Sequence, residues 1–183
     1  MILYVVRHGE TDFNIQGRYT GITDIPLNEK GLEQAKQLSE KLNGINFEII
    51  ISSPLLRARQ TAEIINEVLN IPLIIIDEFQ ERNVGVYEGL TRGEAKEKYP
   101  DLWKRECTRQ LDDAPTNGET IRQFDKKIRK ALLNLEKEYS EKSLLLVTHA
   151  FVSRIINRHY KKLSYDDMHT FELKNCEIAK YTI

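Results

Sequence analysis

The sequence has few of the features that mark several common classes of protein. It contains only two cysteines, Cys107 and Cys176, with no CxxC pair and no metal-type spacing near a histidine. Neither a disulfide framework nor a zinc site is therefore indicated, and a reducing compartment is favoured. A Walker A motif and a Gly-x-Gly-x-x-Gly motif are both missing, so the usual signatures of nucleotide binding are absent.

Long apolar stretches and an excess of one charge are also lacking. The apolar run Ile2–Val6 is too short for a signal peptide and ends at Arg7, and no run approaches the ~20 residues of a membrane span. The 27 basic and 28 acidic residues give a formal charge of −1, which is not the broad basic field that nucleic acids or membrane surfaces require. We therefore expect a cytoplasmic protein whose partner is neither nucleic acid nor membrane, and the oligomeric state stays open.

What the sequence does contain is typical of a globular domain. Its 183 residues, of which 40% are hydrophobic and 30% charged, fit one domain over residues 1–183. Apolar runs predict strands at Ile2–Val6, Phe47–Ile51, Leu73–Ile76, Leu144–Val147 and Glu177–Ile183. Helical spacing predicts helices from Asn28 to Gly44, from Ser52-Ser53-Pro54 to Leu69, at Glu119–Tyr139 and at Ala150–Tyr160. Residues 7–27 are expected to form a long loop.

Strands that alternate with helices predict an α/β fold. We expect a three-layer sandwich, in which a mostly parallel sheet carries helices on both faces. Residues 82–120 mix glycine, proline, aromatic and charged residues, with short helical patches around Glu94–Tyr99 and Asp101–Arg109. They are expected to form a lid-like excursion over the sheet rather than a second domain.

Reactive side chains follow each of the first four predicted strands. Arg7 and His8 follow the first, Arg57 the second, Glu81 the third and His149 the fourth. Ligands of such sheets bind beyond the carboxyl ends of the strands, so these side chains should meet at one edge. A cation cluster near helix N-termini is suited to a phosphoryl group.

The motifs around these residues resemble one known family. They are Arg7-His8-Gly9-Glu10-Thr11 with Asn14, the stretch Gly21–Leu27, Ser52-Ser53-Pro54-Leu55 with Arg57-Ala58 and Gln60-Thr61-Ala62, Glu81 with Gly85 and Glu88-Gly89, and Val147-Thr148-His149. Together they look like the signature of the histidine phosphatase (phosphoglycerate mutase-like) superfamily. The resemblance runs from the first strand to about residue 160, and it implies a phosphoglycerate mutase-like fold and metal-independent phosphomonoesterase activity.

The resemblance also implies the roles of two residues in the reaction. His8 would attack phosphorus and become a phosphohistidine, and neutral imidazole is a suitable nucleophile near neutral pH. Glu81 would protonate the departing alkoxide and later activate water. Glu78 and Glu88 are alternative candidates for the role of Glu81.

A further set of residues is implied to bind the phosphoryl group. Arg7, Arg57 and His149 would hold its equatorial oxygens, where the transition state spreads its charge. Asn14, Thr20 and Gly21 are implied as further phosphate-binding residues. The resemblance implies no metal and no cofactor.

Three functions share these residues. The short separation of Glu81 from His149 favours the phosphatase branch, which includes α-ribazole phosphatase-like and broad-specificity enzymes, over the longer phosphoglycerate mutases. The expected substrate is a small phosphorylated metabolite, with α-ribazole 5′-phosphate as one candidate. A mutase and a non-catalytic phosphate-binding module remain the alternatives.

Some conspicuous side chains match none of these motifs. His159 and His169 are therefore expected to be structural. Tyr87, Tyr99 and Trp103 are open to two interpretations, as the lining of a lid or as core packing.

Overall fold

A computed structural model describes residues 1–183, whose centre is a five-stranded sheet. The strands are β1 (Ile2–Arg7), β2 (Ile49–Ser52), β3 (Leu73–Ile75), β4 (Ser143–Thr148) and β5 (Ile178–Thr182). Their order across the sheet is β3-β2-β4-β1-β5. The first four strands are mutually parallel, and β5 pairs antiparallel with β1 at one edge.

Seven α-helices accompany the sheet. They are α1 (Asp12–Ile15), α2 (Glu29–Leu42), α3 (Leu56–Leu69), α4 (Arg92–Lys98), α5 (Pro100–Lys104), α6 (Ile121–Glu138) and α7 (Ala150–Lys161). None of them is long and apolar enough to cross a membrane.

The long helices cover both faces of the sheet. Successive strand residues point to opposite faces, and in β1 Val5 packs in a core with α6 and α7, whereas Val6 packs in a second core with α2 and α3. This arrangement confirms the predicted three-layer α/β fold with a mostly parallel sheet. It also leaves the carboxyl ends of β1, β2 and β4 together at one edge.

The predicted loop at residues 7–27 contains the short helix α1, which the sequence analysis missed. Thr11 caps this helix in a capping box, in which its side chain accepts from the backbone N–H of Asn14 and the Asn14 side chain accepts from the backbone N–H of Thr11. Four residues are too few to show a helical period in the sequence. The cap nevertheless holds Asn14 in a defined orientation.

The helix predicted to open at Ser52-Ser53-Pro54 begins later, at Leu56. Leu55 is extended, and the hydroxyl oxygen of Ser53 accepts from the Leu55 N–H at 3.3 Å. Ser52 still belongs to β2. The motif therefore forms a turn at the sheet edge instead of the first turn of a helix.

The excursion that follows β3 has a small core of its own. Val84, Tyr87, Ala95 and Cys107 form its buried residues, with Tyr19, Tyr99 and Trp103 packed against them. Tyr87 is therefore a core residue, and Tyr99 and Trp103 pack on the same cluster. The predicted patches correspond to α4 and α5, but α5 ends at Lys104, earlier than expected.

Candidate active site

The chain leaves β1 and β4 at the same edge of the sheet, and this places two distant histidines side by side. Arg7 is in register with Thr148, and the His8 N–H donates to the carbonyl of Thr148 at 2.9 Å. The ring centroids of His8 and His149 are consequently 5.2 Å apart. Parallel pairing of β1 with β4 therefore brings the predicted site together.

A cavity of about 670 Å³ lies over this edge. Seven of the eight residues that were predicted for the site line it: Arg7, His8, Asn14, Thr20, Gly21, Arg57 and Glu81. The eighth, His149, is fully buried and stands beside His8. The structure thus places all eight predicted residues in or directly beneath one cavity.

His8 is held in a single tautomer. Its Nδ1 lies 2.7 Å from the carbonyl oxygen of Gly9, and a carbonyl oxygen can only accept. Nδ1 therefore carries the proton of the neutral ring, and Nε2 keeps a free lone pair. Burial and the positive charges of Arg57 and Arg7 hold the pKa of His8 well below its ordinary value, so the ring stays neutral near neutral pH.

His149 is fixed through its other nitrogen. Its Nε2 lies 2.7 Å from the hydroxyl oxygen of Ser53, and its Nδ1 is buried without a partner. Burial, Arg57 and His8 keep the pKa of His149 well below its ordinary value. His149 is therefore a second neutral ring with one unused polar atom.

The two predicted arginines are positioned by backbone carbonyls rather than by carboxylates. Arg57, 1% exposed, donates to Thr23 O at 2.9 Å and to Gly21 O at 2.8 Å. Arg7 donates to Leu173 O at 3.1 Å. The Nε atoms of both are buried without a partner, and because both residues line the cavity, their positive charges act on an anion bound there. Burial lowers the pKa of Arg57 to about 10, still high enough to keep it charged.

Glu81 is the only carboxylate that lines the cavity. Its Oε1 accepts from the N–H of Arg82 at 2.9 Å, and its Oε2 accepts from the N–H of Phe151, in the first turn of α7, at 3.1 Å. Glu78 is exposed. Glu88 binds the N–H groups of Ile22 and Thr23 and so braces a loop.

Asn14 in α1, together with Thr20 and Gly21 in the segment that follows, lines the same cavity. The Asn14 Oδ1 accepts from Thr11 N and from Asn175 Nδ2, so its own amide group is left as a donor. Gly21 has φ +51°, and a Cβ there would collide with the Glu88 carboxylate. Glycine at this position allows the backbone conformation in which the Gly21 carbonyl accepts a hydrogen bond from Arg57.

Several cavity residues were not predicted from the sequence: Arg18, Arg82, Arg92, Arg109, Arg154 and His169. The expectation that His169 is structural is corrected, because this ring lines the cavity. Arg154 lies one helical turn after Ala150, on the same face of α7, and this spacing is a signal that sequence reasoning could have used. Arg109 lies in a turn and His169 in a short 3-10 helix, Asp167–Thr170, and neither segment offers such a signal. No group of three or more His, Cys, Asp or Glu side chains is placed to hold a metal ion.

A mostly parallel α/β sheet that carries a histidine pair and two arginines without carboxylate partners at its strand ends is suited to binding a phosphoryl group, which places the protein in the class of phosphate-handling α/β proteins. Comparison with protein families identifies the member of this class. The family model described as histidine phosphatase superfamily (branch 1) matches residues 3–183. The chain belongs to this superfamily and is an enzyme of the phosphatase type, which confirms the family, fold class and enzyme class predicted from the motifs.

Individual relatives agree with this assignment. The chain is 39% identical over 145 residues to the uncharacterized phosphatase PhoE of Bacillus subtilis, covering 79% of this chain and 69% of that protein. It is 31% identical to the 2,3-bisphosphoglycerate-dependent phosphoglycerate mutase 2 of Gloeobacter violaceus, covering 96% of this chain and 82% of that one. The crystal structure of the α-ribazole phosphatase from Shigella flexneri superposes with a TM-score of 0.93 at 26% identity, covering 100% of this chain and 91% of that one.

Proposed function

We propose that the protein hydrolyses small phosphomonoesters through a phosphohistidine formed on Nε2 of His8. The observation that carries this proposal is the hydrogen bond between His8 Nδ1 and Gly9 O at 2.7 Å. It commits the proton to Nδ1 and leaves the Nε2 lone pair free in a cavity lined by cations. A neutral, fixed imidazole is the form that attacks phosphorus.

The phosphoryl group is bound by donors that have no partner within the protein. The Nε atoms of Arg7 and Arg57 are buried and unpaired, and a guanidinium forms strong paired hydrogen bonds to phosphate oxygens. The Asn14 amide adds a neutral donor. Since these groups are held in place before the substrate arrives, they stabilise developing charge without reorganisation.

His149 supplies a further donor in this proposal. If the Ser53 hydroxyl donates to Nε2 of His149, the proton of the neutral ring is placed on Nδ1. The buried, unpartnered Nδ1–H then donates to a phosphoryl oxygen. Ser53 acts here as a positioning residue, since it sets the tautomer without touching the substrate.

Glu81 carries the proton in both steps. In the first step, the Nε2–P bond forms, the ester P–O bond breaks, and the Glu81 carboxyl gives its proton to the leaving alkoxide. In the second step, the Glu81 carboxylate takes a proton from water, whose oxygen attacks phosphorus as the N–P bond breaks. Glu81 is again protonated and His8 is again neutral, so the cycle closes.

The proposed substrates are small phosphorylated metabolites. A cavity of about 670 Å³ is within the usual range for small-molecule sites. α-Ribazole 5′-phosphate, suggested by the name of the Shigella flexneri relative, is one candidate for a substrate screen.

The direct test is hydrolysis of p-nitrophenyl phosphate in the presence of EDTA. We expect phosphate release by the wild type, loss of turnover by at least about 1,000-fold in His8→Ala, and an acid-labile phosphoryl label on the wild type but not on His8→Ala after rapid quenching. His159→Ala, a histidine outside the cavity, is the matched control and should hydrolyse normally. Normal turnover by His8→Ala would rule out the covalent mechanism.

A mutase is the second candidate, because similarity to the Gloeobacter violaceus mutase covers 96% of this chain. A mutase keeps its phosphohistidine until the phosphoryl group returns to a second hydroxyl, so it must exclude water. Incubation with 3-phosphoglycerate and a trace of 2,3-bisphosphoglycerate separates the two functions. Isomerisation without net phosphate release would favour the mutase, whereas phosphate binding without either reaction would favour a non-catalytic module.

A further inference from the structure

One residue beside the nucleophile lies near the other end of the chain. Asn175, in the segment between α7 and β5, donates through Nδ2 to the carbonyl oxygen of His8 at 2.9 Å and to Oδ1 of Asn14 at 3.2 Å. Asn175 does not itself line the cavity. It therefore contacts two residues of the proposed site from outside the cavity, without touching a phosphoryl group bound there.

The backbone decides which end of the Asn175 amide faces the site. A side-chain amide has an oxygen that accepts and a nitrogen that donates, and its two ends are nearly equal in shape. The carbonyl oxygen of His8 can only accept, so Asn175 must direct Nδ2 toward it. The second hydrogen of Nδ2 is then available to Oδ1 of Asn14.

The same reasoning extends from Asn175 to Asn14. Oδ1 of Asn14 also accepts from the backbone N–H of Thr11 at 3.1 Å, a group that can only donate. Two donors thus face this oxygen. Because Asn14 lines the cavity, its Nδ2 is the polar group that remains for a phosphoryl oxygen.

A flipped Asn14 amide would lose both hydrogen bonds and present the wrong atom to the substrate. Its Nδ2 would face two donors, and its Oδ1 would face a phosphoryl oxygen, which is also an acceptor. One neutral hydrogen bond contributes a factor of about five to the balance between the two orientations. The two donors together therefore hold Asn14 in the orientation that donates to phosphate.

A turn holds Asn175 in place before any substrate binds. The Glu177 N–H donates to the carbonyl of Lys174 at 3.0 Å, which closes a four-residue turn with Asn175 second and Cys176 third. Cys176 has φ +54°, as the third residue of a type II turn requires, and its N–H donates to Arg7 O at 2.9 Å. The turn is therefore joined to the end of β1.

We propose that Asn175 is a positioning residue for phosphoryl transfer, which fixes the Asn14 amide so that its N–H groups face the phosphoryl group. The inference rests on the proposed function and adds a residue to it. His8 O, Asn175 and Asn14 form a chain in which each hydrogen bond determines the direction of the next. The backbone at the nucleophile thereby sets the polarity of a phosphate-binding side chain.

The test reverses the polarity of residue 175 and nearly keeps its shape. In Asn175→Asp, a carboxylate faces His8 O and Asn14 Oδ1, and Asn14 can donate to this carboxylate only by flipping its amide. A hydrogen bond to a charged group is stronger than the neutral bond from Thr11 that the flip breaks, so the flipped amide should predominate. We expect kcat/KM for p-nitrophenyl phosphate to fall at least about tenfold.

The new negative charge also repels phosphate, so the substitution is repeated in an Asn14→Ala background. The repulsion is the same in both backgrounds, whereas the flip requires Asn14. The loss caused by Asn175→Asp should therefore be at least about fivefold smaller in the Asn14→Ala background. If turnover by Asn14→Ala is too slow to follow, the same cycle is measured as binding of inorganic phosphate by calorimetry.

Two further variants separate polarity from packing, and melting temperatures are measured for all of them. Asn175→Leu keeps the shape without donors or charge, and because Thr11 still faces Asn14 Oδ1, its loss of kcat/KM should be only about two- to threefold. Asn134→Asp changes an exposed asparagine of α6 and, as the matched control, should keep the wild-type kcat/KM. If Asn175→Asp does not fold, the cycle is run with Asn175→Leu, whose loss should vanish in the Asn14→Ala background.

The outcomes distinguish this inference from the proposed function. An equal loss for Asn175→Asp in both backgrounds would overturn the inference and leave the phosphatase function standing. Equal losses for Asn175→Asp and Asn175→Leu at equal melting temperatures would also overturn it, since packing alone would then explain them. If the wild type hydrolyses no ester, the proposed function fails, and the inference fails with it.

Discussion

His8 and His149 are the same residue type in the same cavity, but their hydrogen bonds differ. His8 uses Nδ1 to contact a carbonyl, which forces the lone pair onto Nε2. His149 uses Nε2 to contact a hydroxyl, which can either donate or accept. The tautomer of His8 is therefore determined by the backbone, whereas that of His149 depends on one side chain, Ser53.

Ser53→Ala tests this difference at the scale of a single residue. Without the hydroxyl, Nε2 of His149 has no partner, and the proton on Nδ1 is no longer enforced. We expect kcat for p-nitrophenyl phosphate to fall about tenfold or more, with a smaller change in KM. The measurement is steady-state kinetics together with the melting temperature.

Ser53→Thr keeps the hydroxyl and provides the matched control for this substitution. It should recover most of the activity if the hydroxyl sets the tautomer. Equal losses in kcat for Ser53→Ala and Ser53→Thr, at equal melting temperatures, would show that Ser53 acts only by packing.

At the scale of elements, Glu81 connects the segment after β3 to the start of α7. It accepts from the Phe151 N–H, so the carboxylate lies at a helix N-terminus, where negative charge is favourable. The same helix carries Arg154, which also lines the cavity. One residue thereby contributes to helix capping and, in the proposed mechanism, to proton transfer.

Glu81→Gln separates these two contributions. Glutamine keeps one acceptor oxygen but cannot release a proton to the leaving group. We expect phosphorylation of His8 by p-nitrophenyl phosphate to be reduced only slightly, because nitrophenolate leaves without protonation. Hydrolysis of glycerol 3-phosphate should fall by at least about 100-fold, the usual contribution of a general acid.

Rapid-quench kinetics with both esters measure this difference. A matched substitution is Glu78→Gln, which changes an exposed carboxylate that does not line the cavity. An equal loss of the phosphorylation rate for both esters in Glu81→Gln would exclude Glu81 as the proton donor.

At the scale of the whole molecule, the buried histidines make stability depend on pH. The folded protein holds His8 and His149 neutral because burial and the arginines lower their pKa values. In the unfolded chain, each histidine titrates near ~6.5. Below this pH the unfolded state binds protons that the folded state does not, so the free energy of unfolding decreases as the pH falls.

We therefore expect the free energy of unfolding to decrease between about pH 6.5 and pH 5 by up to ~1.4 kcal/mol per pH unit for each histidine. Denaturant unfolding over this range measures the slope. The double variant His8→Asn, His149→Asn should have a flatter slope, whatever its absolute stability. Identical slopes for the variant and the wild type would show that the two histidines do not carry this dependence.

Local sequence patterns predicted most of the strands and helices of this molecule. Apolar runs located all five strands, and helical spacing located the four long helices, because side-chain periodicity is encoded in neighbouring residues. Errors occurred at boundaries, as at Leu56, and in α1, where four residues show no period. The motif residues were assigned correctly to one edge, because parallel strands end on the same side of a sheet.

By itself, the sequence determined the alternation of strands and helices, the superfamily, and the eight residues gathered at the cavity. Only the tertiary structure decided the sheet order, the contact between Ser53 and His149, and the position of Arg82, Arg109, Arg154 and His169 around one cavity. Residues 82, 109, 154 and 169 come from segments with no common periodicity. Their meeting depends on how the excursion and α7 pack over the sheet, which is a long-range property that no local pattern encodes.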